Sequence, residues 1–361
     1  MKLYNSIFFI LFAFFPLLSF SSTALEKHEK TKTITKNYPV NKDATVFIDN
    51  RYGNVTVTTW HKNTVNIIVK ITVKGNDLES IEDKLKAISI NFEANKDLVE
   101  ARTKIEKVKS NWSWWGKNSN VNYEINYFIN MPRTNNADLN NKYGDIELDE
   151  LEGKANIDCD YGNIEIEKLL NTTNTIDIDY CGNSEINYMN SGTINADYSK
   201  LTIDNATTLK TNIDYTTLRI RQVENLTFSS DYGNVTVDDV THVVGSSDYA
   251  GMRFGTVRKN LEIDTDYGGL RIRNLAKGFE KVKIDGSYAG IKIETPGNAT
   301  FNFVIDLSYA SFGYPDEKVK FIKSIKKTTK KHYEGSFGDG TSESQLNIKS
   351  SYGSVSIRVK D

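Results

Sequence analysis

The stretch "DYGNIEIEKL" (residues 160–169) reads by itself as a turn between two short strands. It returns as "DYGNVTVDDV" (231–240) and "DYGGLRIRNL" (266–275). Aligning the chain on its tyrosine picks out Tyr52, Tyr143, Tyr161, Tyr180, Tyr198, Tyr215, Tyr232, Tyr249, Tyr267, Tyr288, Tyr309 and Tyr352. From Tyr143 to Tyr309 the steps are 18, 19, 18, 17, 17, 17, 18, 21 and 21 residues. Self-similarity at a near-fixed period predicts a repeat architecture.

The columns of this alignment carry the fold. Four residues before the tyrosine stand Ile157, Ile176, Ile194, Ile263 and Ile284; three after it stand Ile146, Ile164, Leu218, Val235 and Leu270. Further apolar columns lie five and eight residues after the tyrosine and six before it. Asp, Glu, Thr, Lys, Arg and Asn fill most places between. Alternation of this kind predicts strands. The parity breaks just after the tyrosine, where Gly, Asn, Ser and Ala cluster and would permit the dihedrals of a corner. One unit cannot bury its own apolar face, but units stacked about 4.8 Å apart hide it.

The expected fold is all-β: a right-handed single-stranded β-helix (β-solenoid) with coils of about 17–21 residues. Its core is expected to hold Ile, Leu, Val and the tyrosine column. An antiparallel barrel gives no reason for columns to stay in register. A left-handed hexapeptide helix needs an aliphatic residue every six positions, whereas the intervals here are 2, 3, 5 and 7. "DYCGNSEI" (179–186) carries one extra residue, which predicts a bulge.

The flanks divide the chain. Residues 1–24 read as a signal peptide: Lys2, the apolar run "SIFFILFAFFPLLSF" (6–20), then Ser22 and Ala24 as the small residues of a cleavage site. No second apolar run follows, so an exported mature chain without a transmembrane anchor is expected, in the periplasm or at the cell surface. Residues 25–137 read as a β-rich N-terminal capping region. Within it "NDLESIEDKLKAI" (76–88) places Leu78, Ile81, Leu85 and Ile88 on one helical face, with Asn76 or Asp77 as cap. A cap would cover the unpaired strand edge that ends a stack. Residues 138–361 read as the repeat domain, interrupted by a lysine-rich excursion at 315–344.

Composition narrows function. The chain has 39% hydrophobic and 25% charged residues, enough for a packed core. A net charge of −2 gives no overall bias towards nucleic acid, and 4 histidines leave little room for a His-rich metal site. No G-x-S-x-G, H-E-x-x-H, P-loop or C-x-x-C motif occurs. No cofactor, catalytic residue or dedicated metal site is expected.

Three surface features remain as candidates. Asp160, Asp179, Asp197, Asp214, Asp231, Asp248 and Asp266 precede the tyrosine in successive units. Stacked carboxylates repel, so either each caps its own corner or, more weakly, the column takes calcium. The column four residues after the tyrosine runs from Glu147 and Glu165 to Arg219, Arg253 and Arg271, a charged face that could dock an anionic partner such as a polysaccharide. Trp112, Trp114 and Trp115 crowd "NWSWWGKN" (111–118), where exposed rings can stack on sugars. Cys159 and Cys181 fall in neighbouring units at different positions, which leaves a disulfide open.

The phrases "NRYGNVTV" and "NKYGDIEL", the strand end "INMPR" and the leader together resemble the bacterial putative-adhesin family of β-solenoid envelope proteins. The likeness covers most of the mature chain, most strongly residues 131–293. It implies the coiled all-β fold and export. It implies no catalytic residue. The function expected on these grounds is a non-enzymatic envelope scaffold that binds a glycan or an envelope protein. The alternatives are a polysaccharide-active β-helix enzyme or a periplasmic structural or signalling partner.

Overall fold

The computed structural model describes residues 27–106 and 121–360. Residues 1–24, expected to be a signal peptide, and the tryptophan-rich stretch 111–118 therefore lie outside the described residues. The described chain is all-β, with 26 strands joined by backbone pairing into one long open sheet. Helix α1 (Leu78–Ala87) is the one α-helix among the described residues. Asp77 caps it, accepting the Ser80 N–H at 3.0 Å. Ile81 is buried and Leu85 packs on the core, but Leu78 at the first turn is 45% exposed.

Parallel pairing joins equivalent residues of successive units. Asp160 pairs with Asp179, Asp197 with Asp214, Asp214 with Asp231, and Asp231 with Asp248. The tyrosine N–H extends the ladder around the corner: Tyr161 N–H donates to the Asp179 carbonyl, and Tyr198 N–H to that of Asp214, both at 3.0 Å. The strand Thr217–Asp231 shows one whole unit, with a burial pattern that alternates except at 221–222 and 224–225. Leu218, Ile220, Val223, Leu226 and Phe228 point inward and are at most 3% exposed. Each such side chain contributes about 1.5–3 kcal/mol when buried, and only neighbouring units provide the cover. Pairing with the preceding unit skips Arg221 and Glu224, where the strand bends. The extra residue after Tyr180 is taken up in the corner at 181–183, and the ladder resumes with Glu185 opposite Glu165.

The tyrosine column is outside the core, contrary to expectation. Each ring is roughly half exposed, from 39% at Tyr52 to 61% at Tyr309. These same tyrosines, and not the small residues after them, carry the unusual dihedral, with φ between 49° and 65°. Left-handed backbone turns their side chains outward at each corner. The glycines that follow are small for a different reason. A Cβ on Gly162 would lie 2.0 Å from the Gly144 carbonyl oxygen, and one on Gly233 would lie 2.2 Å from that of Thr216.

Where Ser or Thr replaces this glycine, the hydroxyl enters the backbone network. Ser199 Oγ accepts the Cys181 N–H at 3.0 Å and donates to the Asp197 carbonyl at 2.7 Å. Thr216 does the same for Ser199 and Asp214.

The chain does not end at the end of the stack. Strand Gln345–Ser351 lies between Lys281–Ser287 and Phe301–Ser308, parallel to both. The outermost positions belong to Lys330–Phe337, antiparallel to Phe301–Ser308, and to Val319–Lys326 beyond it. The last unit has been threaded back under an earlier one.

Candidate binding surface

The outward face is built by residues that the strand parity excludes from the core. At each corner the tyrosine rings stack on one another. Centroids from Tyr52 to Tyr309 are 4.7–5.2 Å apart, with planes within 17° of parallel. Each inner ring has both faces covered by its neighbours, so edges and hydroxyls face solvent. Tyr123 closes the first end edge-on against Tyr52. Desolvation by the neighbours, and then the adjacent phenols, push the Tyr198 and Tyr249 hydroxyls upward.

The aspartate column runs beside the tyrosines. Lys142 pairs with Asp160 at its start. Partial burial first, then neighbouring carboxylates, raise Asp179, Asp214 and Asp248. The main-chain carbonyl of each aspartate, rather than its carboxylate, accepts the tyrosine N–H described above. The Asp231 main chain acts on Asp214 in the opposite, lowering direction, as the smallest influence. Among the described residues, no three His, Cys, Asp or Glu side chains are grouped to hold a metal ion.

The charged column forms one continuous ladder. Glu147, Glu165, Glu185, Thr202, Arg219, Thr236, Arg253, Arg271 and Lys292 pair in that order. The structure thus brings Arg219, Arg253 and Arg271 onto one face. Asp238 engages Arg219 at 2.6 Å and Glu294 engages Arg271 at 2.7 Å. Arg253 and Lys292 make no ion pair among the described residues. Trp112, Trp114 and Trp115 lie outside the described residues.

Cys159 and Cys181 are buried free thiols. Cys181 Sγ donates to the Cys159 carbonyl at 3.2 Å. The contact with Cys181, and then burial, push the Cys159 thiol upward.

Two features escape a reading of the sequence. One is an inward column two residues before the tyrosine that carries Ser230, Ser247 and Thr265, whose buried hydroxyls have no hydrogen-bond partner. Hydroxyl residues at alternating positions read as outward-facing, so only the structure reveals them. The other is a run of glycines facing outward beside the basic end of the ladder. A shallow groove of about 390 Å³ lies over Gly251, Gly269 and Gly290, walled by Arg253, Arg271 and Lys292. Three in-register glycines after the tyrosine were a visible signal, hidden among corner glycines of similar appearance.

No family model matches the chain, and no curated protein matches its sequence. Solved structures are similar to it at low identity. A "putative adhesin" from Parabacteroides distasonis is 10% identical, with a TM-score of 0.37, over 91% of this chain and 97% of that one. A "putative cell adhesion protein" from Clostridium sporogenes is 11% identical, with a TM-score of 0.22, over 92% and 100%. A "putative lipid binding protein" from P. distasonis is 11% identical, with a TM-score of 0.30, over 92% and 97%. Among the described residues no helix is long and apolar enough to cross a membrane.

Proposed function

We propose that the chain is an exported, non-enzymatic binding scaffold of the cell envelope, built as a right-handed β-solenoid. Its ligand is a glycan or an envelope protein held along the outer face. The single observation that carries this reading is the ladder from Glu147 to Lys292. It presents side chains in register, one per unit, on hydrogen-bonded backbone. A row held in register in this way is pre-organised for an extended partner, which lowers the ordering cost of binding. Export is supported by the leader's basic start and apolar run, and the solenoid by in-register parallel pairing at each repeat. Residues 25–137 then serve as the cap of the stack.

The test is binding of the purified chain to envelope fractions, with protein and polysaccharide removed in turn. Retention lost with one of these removals identifies the ligand class and supports the scaffold. No retention on any envelope fraction sinks it. Protease treatment of intact cells, with fragments of 315–344 as readout, separates surface from periplasm.

A further inference from the structure

We propose that the groove over Gly251, Gly269 and Gly290 binds an extended, carboxylate-bearing glycan, with Arg253, Arg271 and Lys292 as its cationic wall. The inference rests on the scaffold reading above and names the ligand class and the site.

Glycine in a strand is costly, because it loses the most freedom on folding and packs no side chain. Here each glycine begins a strand and pairs with the next: Gly251 with Gly269, and Gly269 with Gly290. The fold does not require them. None of the three has a positive φ. A Cβ on Gly290 would meet nothing within 4 Å, and one on Gly269 would meet only a carbonyl oxygen at 4.0 Å. A Cβ on Gly251 would lie 2.9 Å from the Asn234 side-chain oxygen, the far end of a movable group. The adjacent corner glycine, Gly268, differs: its Cβ would lie 2.2 Å from the Ala250 carbonyl. Strand glycines with no steric duty leave the backbone open to close approach by a ligand.

The charge around the groove selects an anion. Arg253 and Lys292 have no ion-pair partner among the described residues, and Arg271 shares its charge with Glu294. The aspartate column ends beside this groove: Asp248 and Asp266 still precede the tyrosines of the Arg253 and Arg271 units, but Ser287 precedes that of the Lys292 unit, and Ser308 and Ser351 follow. The negative flank thus stops at the last cation of the basic wall.

Spacing selects the polymer. Successive cations sit one strand spacing apart, about 4.8 Å. An extended pyranose chain linked through equatorial bonds advances by a similar length per sugar with alternate rings turned over, so carboxylates on one edge recur at about two strand spacings, the separation of the unpaired Arg253 and Lys292. An extended peptide advances about 3.3 Å per residue, so its same-face carboxylates recur at about 6.6 Å and fall out of step. The flat glycine floor suits the C–H face of a sugar ring, and no bulky side chain stands between it and the backbone.

The probe is polymannuronate, with a neutral mannan of the same linkage and polyglutamate as controls, titrated against the full chain. The expected result is salt-sensitive binding of polymannuronate and none of the mannan. In Arg253→Gln/Lys292→Gln the affinity falls about tenfold or more. In Gly269→Thr/Gly290→Val it falls similarly, while the unfolding midpoint holds or rises, because the added groups enter open space. Three results overturn the proposal: no binding by the unaltered chain, full affinity in the filled-groove variant, or equal affinity for polyglutamate or phosphatidylglycerol vesicles. Envelope binding that survives groove filling would refute this site and leave the scaffold reading standing. Envelope binding absent from the unaltered chain would refute the scaffold itself.

Discussion

The ring of Tyr180 lies over that of Tyr198, with centroids 5.0 Å apart and planes 4° from parallel. Both residues hold left-handed backbone, with φ of 55° and 49°. For an L-residue that conformation costs about 1–2 kcal/mol. An aromatic pair returns about 0.5–1.5 kcal/mol, and an inner ring belongs to two pairs. The two magnitudes are comparable, so stacking can hold tyrosine at a corner that backbone preference would give to Gly or Asn.

Replacement at Tyr215 tests this balance. Tyr215→Val loses both ring contacts and places a β-branched residue at positive φ. It should destabilise its unit by about 2–3 kcal/mol. Tyr215→Asn loses the same contacts but tolerates the backbone, and should cost about 1 kcal/mol less. Denaturant unfolding of the two variants checks the order. Equal losses would mean that the corner dihedral carries no strain.

The stacked all-β units were legible because alternation and period act on the same residues. Ile220 is inward for its parity, and it meets Ile203 for its place in the period. The charged ladder was legible for the same reason. The exposed tyrosines were not, because a column of large aromatics reads as core until the left-handed φ turns it outward. The roles of the glycines were also hidden. Gly268 and Gly269 are adjacent in sequence, yet one sits against a carbonyl and the other lies open. The threading of the last unit depends on which gap is left vacant, and a local pattern does not encode that.

Phe228 and Gly245 form a size-matched pair. They are register partners, and a Cβ on Gly245 would fall 2.1 Å from Phe228 Cε1. Gly245→Ala should therefore destabilise the chain by about 1–3 kcal/mol through overpacking. Adding Phe228→Ile should recover most of that loss, since isoleucine fills this column in other units. A double-mutant cycle measured by denaturant unfolding gives the coupling. Strict additivity would show that Phe228 does not occupy the space above Gly245.

The aspartate column sets a pH dependence of definite sign. Burial and then neighbouring carboxylates raise Asp214 in the folded chain. The fold therefore favours its protonated form. The stability it contributes is present below the ordinary aspartate pKa of about 3.9 and is lost as pH climbs through the raised folded value. Asp214→Asn should raise the unfolding midpoint at neutral pH and change it little at about pH 3. The gain is small because the side chain is exposed and screened, and added salt should shrink it further. Glu262 and Glu280 act in the opposite sense. The Lys283 hydrogen bond lowers the first; those of Asn260 and then Lys259 lower the second. The difference between variant and parent isolates the column. A variant less stable at neutral pH would show that the carboxylate of Asp214 is a net structural acceptor.

The threaded C-terminal unit should be the keystone of its end of the stack. Strand Val355–Lys360 pairs with both Gly290–Pro296 and Phe312–Gly313, as Gln345–Ser351, before the Tyr352 corner, pairs on both sides. Truncation after Ser344 removes the buried side chains Leu346, Ile348, Val355 and Ile357. That forfeits roughly 6–12 kcal/mol of burial, a loss as large as the whole stability of an ordinary domain. It also leaves Phe301–Ser308 without its parallel neighbour. Because stacked units depend mainly on nearest neighbours, the damage should stay local. Hydrogen exchange of the truncated chain should show rapid exchange through residues 281–337 and unchanged protection in Thr217–Asp231. Full protection of Phe301–Ser308 in the truncated chain would mean that the earlier unit closes onto Lys281–Ser287 by itself, and that the threaded unit is not required to hold the end together.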